Sequence, residues 1–297
     1  MMPDSPYSCF PSAKEEARLP QPETPQTASP TYRLAFTDVD FLTREELRPV
    51  RLQLELLKPE LIQREHDIEA TVVIFGGTRV PEAAEAKRRL AQAEAALAEN
   101  PYVPEAVRAV ERARRVLAKA HYYEEARKLG ALVSKTCHAQ TGCKLVVVTG
   151  GGPGIMEAAN RGAAEAGEKT MGLNIVLPHE QAPNRFITPE LCFQFHYFSI
   201  RKMHFLMRAQ ALVVFPGGYG TLDELFETLT LIQTKKITPV PVLLFGREFW
   251  SRLLDFDFLL AEGVIDPEDL DIFRFVDTAE EAARIISEHF NRTPGRM

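Results

Sequence analysis

The sequence predicts an α/β fold: a Rossmann-like, doubly wound parallel sheet with helices on both faces, plus an N-terminal helical extension. Three observations predict it. Short apolar, often β-branched runs recur at 71–75, 145–149, 170–176, 193–198, 211–215, 240–245 and 272–276, and each reads as a buried strand. Segments of helical spacing separate most of them, at 154–166, 201–209, 222–234, 247–260 and 278–290. Two of the strands run directly into glycine-rich turns that open the next helix, and the run at 71–75 ends in Gly76-Gly77, a tight loop.

The elements follow in chain order. Residues 1–32 carry Pro3, Pro6, Pro11, Pro20, Pro22, Pro25 and Pro30 with few large aliphatics, a composition expected of a disordered tail. Residues 33–70 form the helical extension. Within it 43–66 reads as one helix, with Thr43 and Glu46 at capping-box spacing and Leu47, Val50, Leu54, Leu57 and Leu61 at three- and four-residue steps. Pro59 is expected to bend or end that helix. The stripe can pack on the main domain or on another subunit. Residues 71–297 form one α/β domain. It holds an inserted helical hairpin at 82–118, interrupted by Asn100-Pro101 and Pro104, and a further helix from His121 to Lys135.

Composition narrows the function. Of 297 residues, 45% are apolar and 26% charged, ordinary for a globular chain able to bury a large core. A net charge of −6 argues against a nucleic-acid partner, which needs phosphate neutralisation over a broad surface. No apolar run is long enough to span a membrane, and the N-terminus lacks a signal-peptide pattern, so a cytoplasmic location is expected. Cys9, Cys137, Cys143 and Cys192 show no zinc-ligand spacing and are expected to be free thiols; no metal site is expected.

Two turns carry the chemistry. Val146 to Thr149 runs into Gly150-Gly151-Gly152-Pro153-Gly154, followed by Ile155-Met156-Glu157. The spacing fits neither G-x-G-x-x-G nor a Walker A loop, so the turn is either a ligand cradle at a helix N-terminus or a tight strand–helix connection. Val213-Val214-Phe215 then leads into Pro216-Gly217-Gly218-Tyr219-Gly220-Thr221-Leu222-Asp223-Glu224. Amides of Gly217–Thr221 at a helix start suit a phosphate, provided the two strands lie close together in the sheet. Thr221 and Glu224 have a second reading as a capping box for the helix. Upstream, Arg201-Lys202 sits between an aromatic strand and an apolar stripe, and reads either as a solvated face or as a cation pair held between two buried elements.

Together these stretches resemble the LONELY GUY family of cytokinin-activating phosphoribohydrolases, whose members older annotation calls possible lysine decarboxylases. The likeness covers roughly residues 70 to 245 and rests on Arg201-Lys202, on Pro216 through Glu224, and on the Gly150–Met156 turn. It implies a nucleotide-binding catalytic domain that cleaves purine nucleoside 5′-monophosphates, plain or N6-modified, into base and ribose 5-phosphate, without a cofactor. Carried over, Arg201 and Glu224 are the catalytic pair. Gly151, Gly152, Met156, Glu180, Lys202, Gly217, Gly218, Gly220, Thr221 and Thr230 contact the nucleotide. The extension and the 82–118 insertion set this chain with the longer members.

Breaking a ribosyl C–N bond develops positive charge on the sugar, which an ionised carboxylate stabilises. Placed in the first helical turn, Glu224 is expected to be an anion held by the helix dipole. Arg201 would fix phosphate or polarise the base, and His179 is a remote candidate for proton donor. Plain AMP nucleosidase, a non-catalytic nucleotide-binding protein and a pyridoxal-phosphate decarboxylase are the rival readings. The last lacks a lysine marked out for a Schiff base. The apolar stripe at 43–66 and the hairpin predict a homo-oligomer, at least a two-fold dimer.

Overall fold

The structure is a computed structural model that describes residues 12–178 and 182–292. It divides after Glu65 into two units. In the first, α1 (Ala13–Glu16) is one turn closed by a capping box between Ser12 and Glu15. α2 (Val39–Leu42) follows, and α3 (Arg48–Glu65) is the long helix. Thr43 does not cap α3. It follows the last residue of α2, where its hydroxyl donates back to Val39 O, and a 3₁₀ turn over Glu45–Leu47 leads into α3. Nor does Pro59 end α3; it removes one main-chain donor, and the helix continues to Glu65. Residues 1–11, with the first three prolines of the expected tail, lie outside the described residues.

The second unit is the α/β body. Its strands are β1 (Ala70–Phe75), β2 (Leu145–Thr149), β3 (Thr170–Ile175), β4 (Cys192–Phe195), β5 (Ala209–Val214), β6 (Val242–Phe245) and β7 (Phe273–Val276). They form one seven-stranded sheet in the order β4-β3-β2-β1-β5-β6-β7, parallel throughout. The chain winds outward from β1 to β4, then crosses to the other side of β1 to start again at β5. β1 and β5 therefore flank the topological switch point, where crevices open at the carboxyl ends of strands. Every residue of β1, β2 and β3 is buried, which is why β1 and β2 are mostly apolar without alternation.

The connections are α4 (Ala83–Glu99) and α5 (Pro104–Lys119), which make the inserted hairpin, then α6 (His121–Ser134), α7 (Ile155–Glu165), α8 (Phe198–Met207) and α9 (Tyr219–Gln233). α10 (Arg247–Leu253), α11 (Phe256–Ala261) and α12 (Ala279–Arg292) complete the unit. The expected single helix at 247–260 is two, because Asp255 accepts from Phe258 N at 2.9 Å and starts α11 afresh. On one face Val72 and Ile74 of β1 pack with Tyr123, Leu129, Ile155, Ala159 and Ile286 of α6, α7 and α12. On the other, the Phe75 ring meets Phe205 of α8 edge-on, centroids 4.8 Å apart.

Gly154, the residue before α7, fixes how closely that helix approaches the switch point. Its φ is +74°, and a Cβ there would lie 2.4 Å from Gly77 O. Gly154→Ala is therefore expected to cost about 3 kcal/mol or more, from a glycine-only backbone region plus the collision. Denaturant titration measures it; an unchanged midpoint would mean that the turn relaxes freely.

Candidate active site

β2, β1 and β5 are neighbours, so the two glycine turns meet. A third turn, Gly76-Gly77 after β1, joins them. Gly77 N donates to Pro216 O at 2.9 Å, and Gly77 O accepts from Ile155 N at 3.2 Å. Sequence reasoning saw Gly76-Gly77 as a tight loop only. Its signal as part of a site was its position after a fully buried strand, but that becomes decisive only when strand order is known.

The turn after β5 is built around α9. The helix starts at Tyr219 with Gly218 as N-cap, three residues before the expected start. Thr221 is then its third residue and Glu224 its sixth, one turn too deep for a capping box. That removes the structural reading of the pair. The N–H groups of Tyr219, Gly220 and Thr221 have no acceptor within the helix and carry its positive dipole end. A Cβ on Gly217 would strike Thr221 Oγ1 at 2.1 Å, so Gly217 is required by packing. A Cβ on Gly218 or Gly220 would meet open space, and neither residue has a positive φ. Their missing side chains leave the approach to these amides clear.

α8 starts at Phe198, which makes Arg201 its fourth residue and points the guanidinium at α9. Arg201 Nη2 lies 3.5 Å from Glu224 Oε1, and the side chains are 13% and 7% exposed. The guanidinium carbon also sits 4.9 Å from the Phe198 ring centroid and 5.5 Å from that of Phe205. Arg201 Nε is buried and has no hydrogen-bond partner among the described residues. Burial dominates both charges. It pushes the Glu224 carboxyl up to about 7 against the opposing pull of Arg201 and Lys202. It also lowers Arg201 below its ordinary value, although Glu224 and Asp223 pull the other way. At 3.5 Å the attraction does not recover the desolvation of the two groups. The expectation of a Glu224 anion secured by the helix dipole is thus corrected. The residue is a turn further in and nearly dry, so near neutral pH it is divided between its acid and its anion.

Lys202, next along α8, binds Asp223 Oδ2 at 3.0 Å and Glu227 Oε2 at 2.9 Å. Burial lowers its pKa, and the two carboxylates more than restore it. Its charge is engaged inside the protein. Thr230 donates to Phe226 O at 2.7 Å and lines a groove of about 480 Å³ with Tyr219, Leu222, Asp223, Phe226, Glu227 and Leu231. Glu224 is not part of that lining, although Asp223 and Glu227 on either side of it are.

In the turn after β2, Gly151 has φ +76° and is wedged against Asn174, whose Oδ1 would be 2.1 Å from a Cβ. Met156 lies over the turn, its sulfur 3.0 Å from a Cβ on Gly150 and its methyl 2.8 Å from one on Gly152. Thr78 of the β1 turn approaches Gly152 and Gly154 from the other side. Gly151, Gly152 and Met156 are therefore on the same edge of the sheet as Gly217, Thr221 and Glu224. His179 and Glu180 lie outside the described residues. Among the described residues, no group of three or more His, Cys, Asp or Glu could hold a metal, and no helix is long and apolar enough to cross a membrane.

A family model described as "possible lysine decarboxylase" matches residues 156–286, which hold Arg201, Glu224 and the turn between β5 and α9. Cytokinin riboside 5′-monophosphate phosphoribohydrolase LOG1 of Arabidopsis thaliana is 30% identical over 180 residues, 59% of this chain and 79% of that protein. The chain belongs to the LONELY GUY family. A second relative from the same plant, cytokinin riboside 5′-monophosphate phosphoribohydrolase LOG3, is 28% identical over 176 residues, 58% of this chain and 77% of its own. A solved structure, the molybdenum cofactor carrier protein of Chlamydomonas reinhardtii, overlays with a TM-score of 0.40 at 17% identity, covering 75% of this chain and 99% of that one. The match of this LONELY GUY chain to the family model lies within the second unit, and α1 to α3 lie outside it.

Proposed function

We propose that this protein hydrolyses the N-glycosidic bond of purine nucleoside 5′-monophosphates, releasing the free base and ribose 5-phosphate. The observation that carries the reading is the buried Arg201–Glu224 pair beside the start of α9, where unpaired amides and clear glycines face the switch point. The 5′-phosphate sits on the amides of Gly217–Thr221, with Gly151, Gly152 and Met156 on the opposite wall. Glu224, as the anion, stabilises the positive charge that develops on the ribosyl carbon and takes a proton from the attacking water. The water oxygen bonds to that carbon as the C–N bond breaks; the departing base nitrogen takes a proton from solvent, and Glu224 then returns to solvent the proton it accepted. Arg201 keeps its own protons and donates hydrogen bonds to the substrate. Family membership and the names of the plant relatives support the reaction class.

Incubation with AMP and N6-isopentenyl-AMP, scored for ribose 5-phosphate, tests the reading and ranks the two bases. Release from neither would leave a nucleotide-binding protein without this chemistry. Adenosine is expected to be at least about 10²-fold poorer than AMP in kcat/KM, because remote phosphate binding energy is lost. Equal rates on adenosine and AMP would remove the phosphate subsite.

We also propose a homo-oligomer. Leu54, Leu57 and Leu61 of α3 are each 51% exposed, an apolar stripe that water does not favour. Light scattering should give at least a dimer for the full chain and a smaller mass for Leu54→Glu/Leu57→Glu. A monomeric full chain, or an unchanged mass in the double variant, would show that the stripe joins no subunits.

A further inference from the structure

The turn after β2 is held from behind by a closed set of polar side chains that the proposed chemistry does not use. Gly151 N donates to Thr149 Oγ1 at 3.0 Å, and Thr149 Oγ1 donates to Asn160 Oδ1 at 2.7 Å. Asn160 spends its own amide protons on Thr170 Oγ1 at 2.6 Å and Met171 O at 3.2 Å. Asn184 arrives from the connection between β3 and β4. Its Nδ2 reaches Asn160 Oδ1 at 2.9 Å and the carbonyls of Gly151 and Gly152, both at 3.2 Å. Its main-chain N–H also binds Gly151 O, at 2.9 Å. Thr149, Asn160 and Thr170 are fully buried and Asn184 is 9% exposed, so these bonds do not compete with bulk water.

The directions of these bonds have a consequence for the front of the turn. A peptide unit is planar and trans, so its N–H points opposite to its carbonyl. With Gly151 O drawn back onto Asn184, the N–H of Gly152 points away from the network, toward the half-open side of the turn. The next unit, drawn back through Gly152 O, offers no N–H because Pro153 follows. Asn184 thus determines which face of the turn shows donors and which shows carbonyls. Without it, Gly152 O loses its partner, whereas Gly151 O keeps the Asn184 main-chain bond and Asn160 Oδ1 keeps Thr149.

We infer that Asn184 and Asn160 are positioning residues that lock the Gly150–Gly154 turn with the Gly152 N–H presented to the nucleotide. The inference rests on the proposed nucleotide hydrolysis and assigns these asparagines a part in substrate affinity. They touch no reacting atom.

The test pairs Asn184→Ala with Thr149→Val, a near-isosteric change on a different element. Each is expected to raise KM for AMP about tenfold while kcat stays within about twofold, the pattern of lost uniform binding. Hydrogen exchange without ligand provides the second readout. The Gly151 N–H, protected in the native protein by Thr149, should exchange faster in both variants while peptides from β1 and β5 keep their rates. An unchanged KM together with unchanged exchange of the turn would overturn the inference. So would a fall in kcat alone. If the unaltered protein neither binds nor cleaves AMP, the proposed function fails. The exchange arm then still decides whether the asparagines hold the turn.

Discussion

Glu224→Gln is expected to abolish activity and to make the protein more stable above pH 7. The loss of turnover should be about 10²-fold or more, since a neutral amide neither stabilises a ribosyl cation nor accepts a proton. The stability gain follows from linkage. Burial raises the folded-state pKa of this carboxyl from 4.5 to about 7. Between those values the folded protein binds more protons than the unfolded chain, so stability falls as pH rises from about 4.5 to about 7 and stays lower above it. The full difference is about 3 kcal/mol. Gln mimics the protonated form, so wild type and variant should match near pH 4.5 and diverge as pH rises. Chemical denaturation at a series of pH values measures it; curves that stay parallel would mean that Glu224 is ionised without penalty.

Arg201→Ala is expected to lower kcat/KM for AMP by about 10²- to 10³-fold, through lost hydrogen bonds to the substrate. It should also move the pH profile. The wild-type profile is expected to rise through about pH 7 as Glu224 becomes the anion. Arg201 is the largest influence holding that carboxyl down. Its removal shifts the rise to higher pH, and part of the lost rate should return in alkaline buffer. A profile with its inflection unmoved would show that the guanidinium acts on substrate alone.

Much of this edge was legible in the sequence, because strands buried on both faces have a plain signature. β1, β2 and β5 each appear as unbroken apolar runs, and the glycines after them mark where the backbone must turn tightly. What sequence spacing could not supply was depth. A helix starting at Tyr219 and one starting at Leu222 look alike in apolar periodicity, yet the first buries Glu224 and the second makes it a capping residue. Dielectric environment depends on that choice, and so does the charge of the carboxyl. The place of Gly77 was hidden for a different reason. Its two hydrogen bonds join segments far apart in the chain, and no local pattern encodes strand order. Asn160 and Asn184 read as ordinary polar residues of a helix and a loop until the bond that Asn184 donates to Asn160 is seen. The break between α10 and α11 was visible in Asp255, an N-cap residue within an apparently continuous helix.

The pairing of β1 with β5 also sets when the candidate site is complete. Ile74 lies beside Val213, about 140 residues later in the chain, and that pairing closes the switch point. Closing so long a loop is entropically costly and slow compared with local hairpins and helices. A chain still being synthesised, with β1 to β4 already assembled, has one wall of the crevice and no Glu224. Recovery of hydrolysis after dilution from denaturant should follow the slowest refolding phase and not the early gain of helix signal.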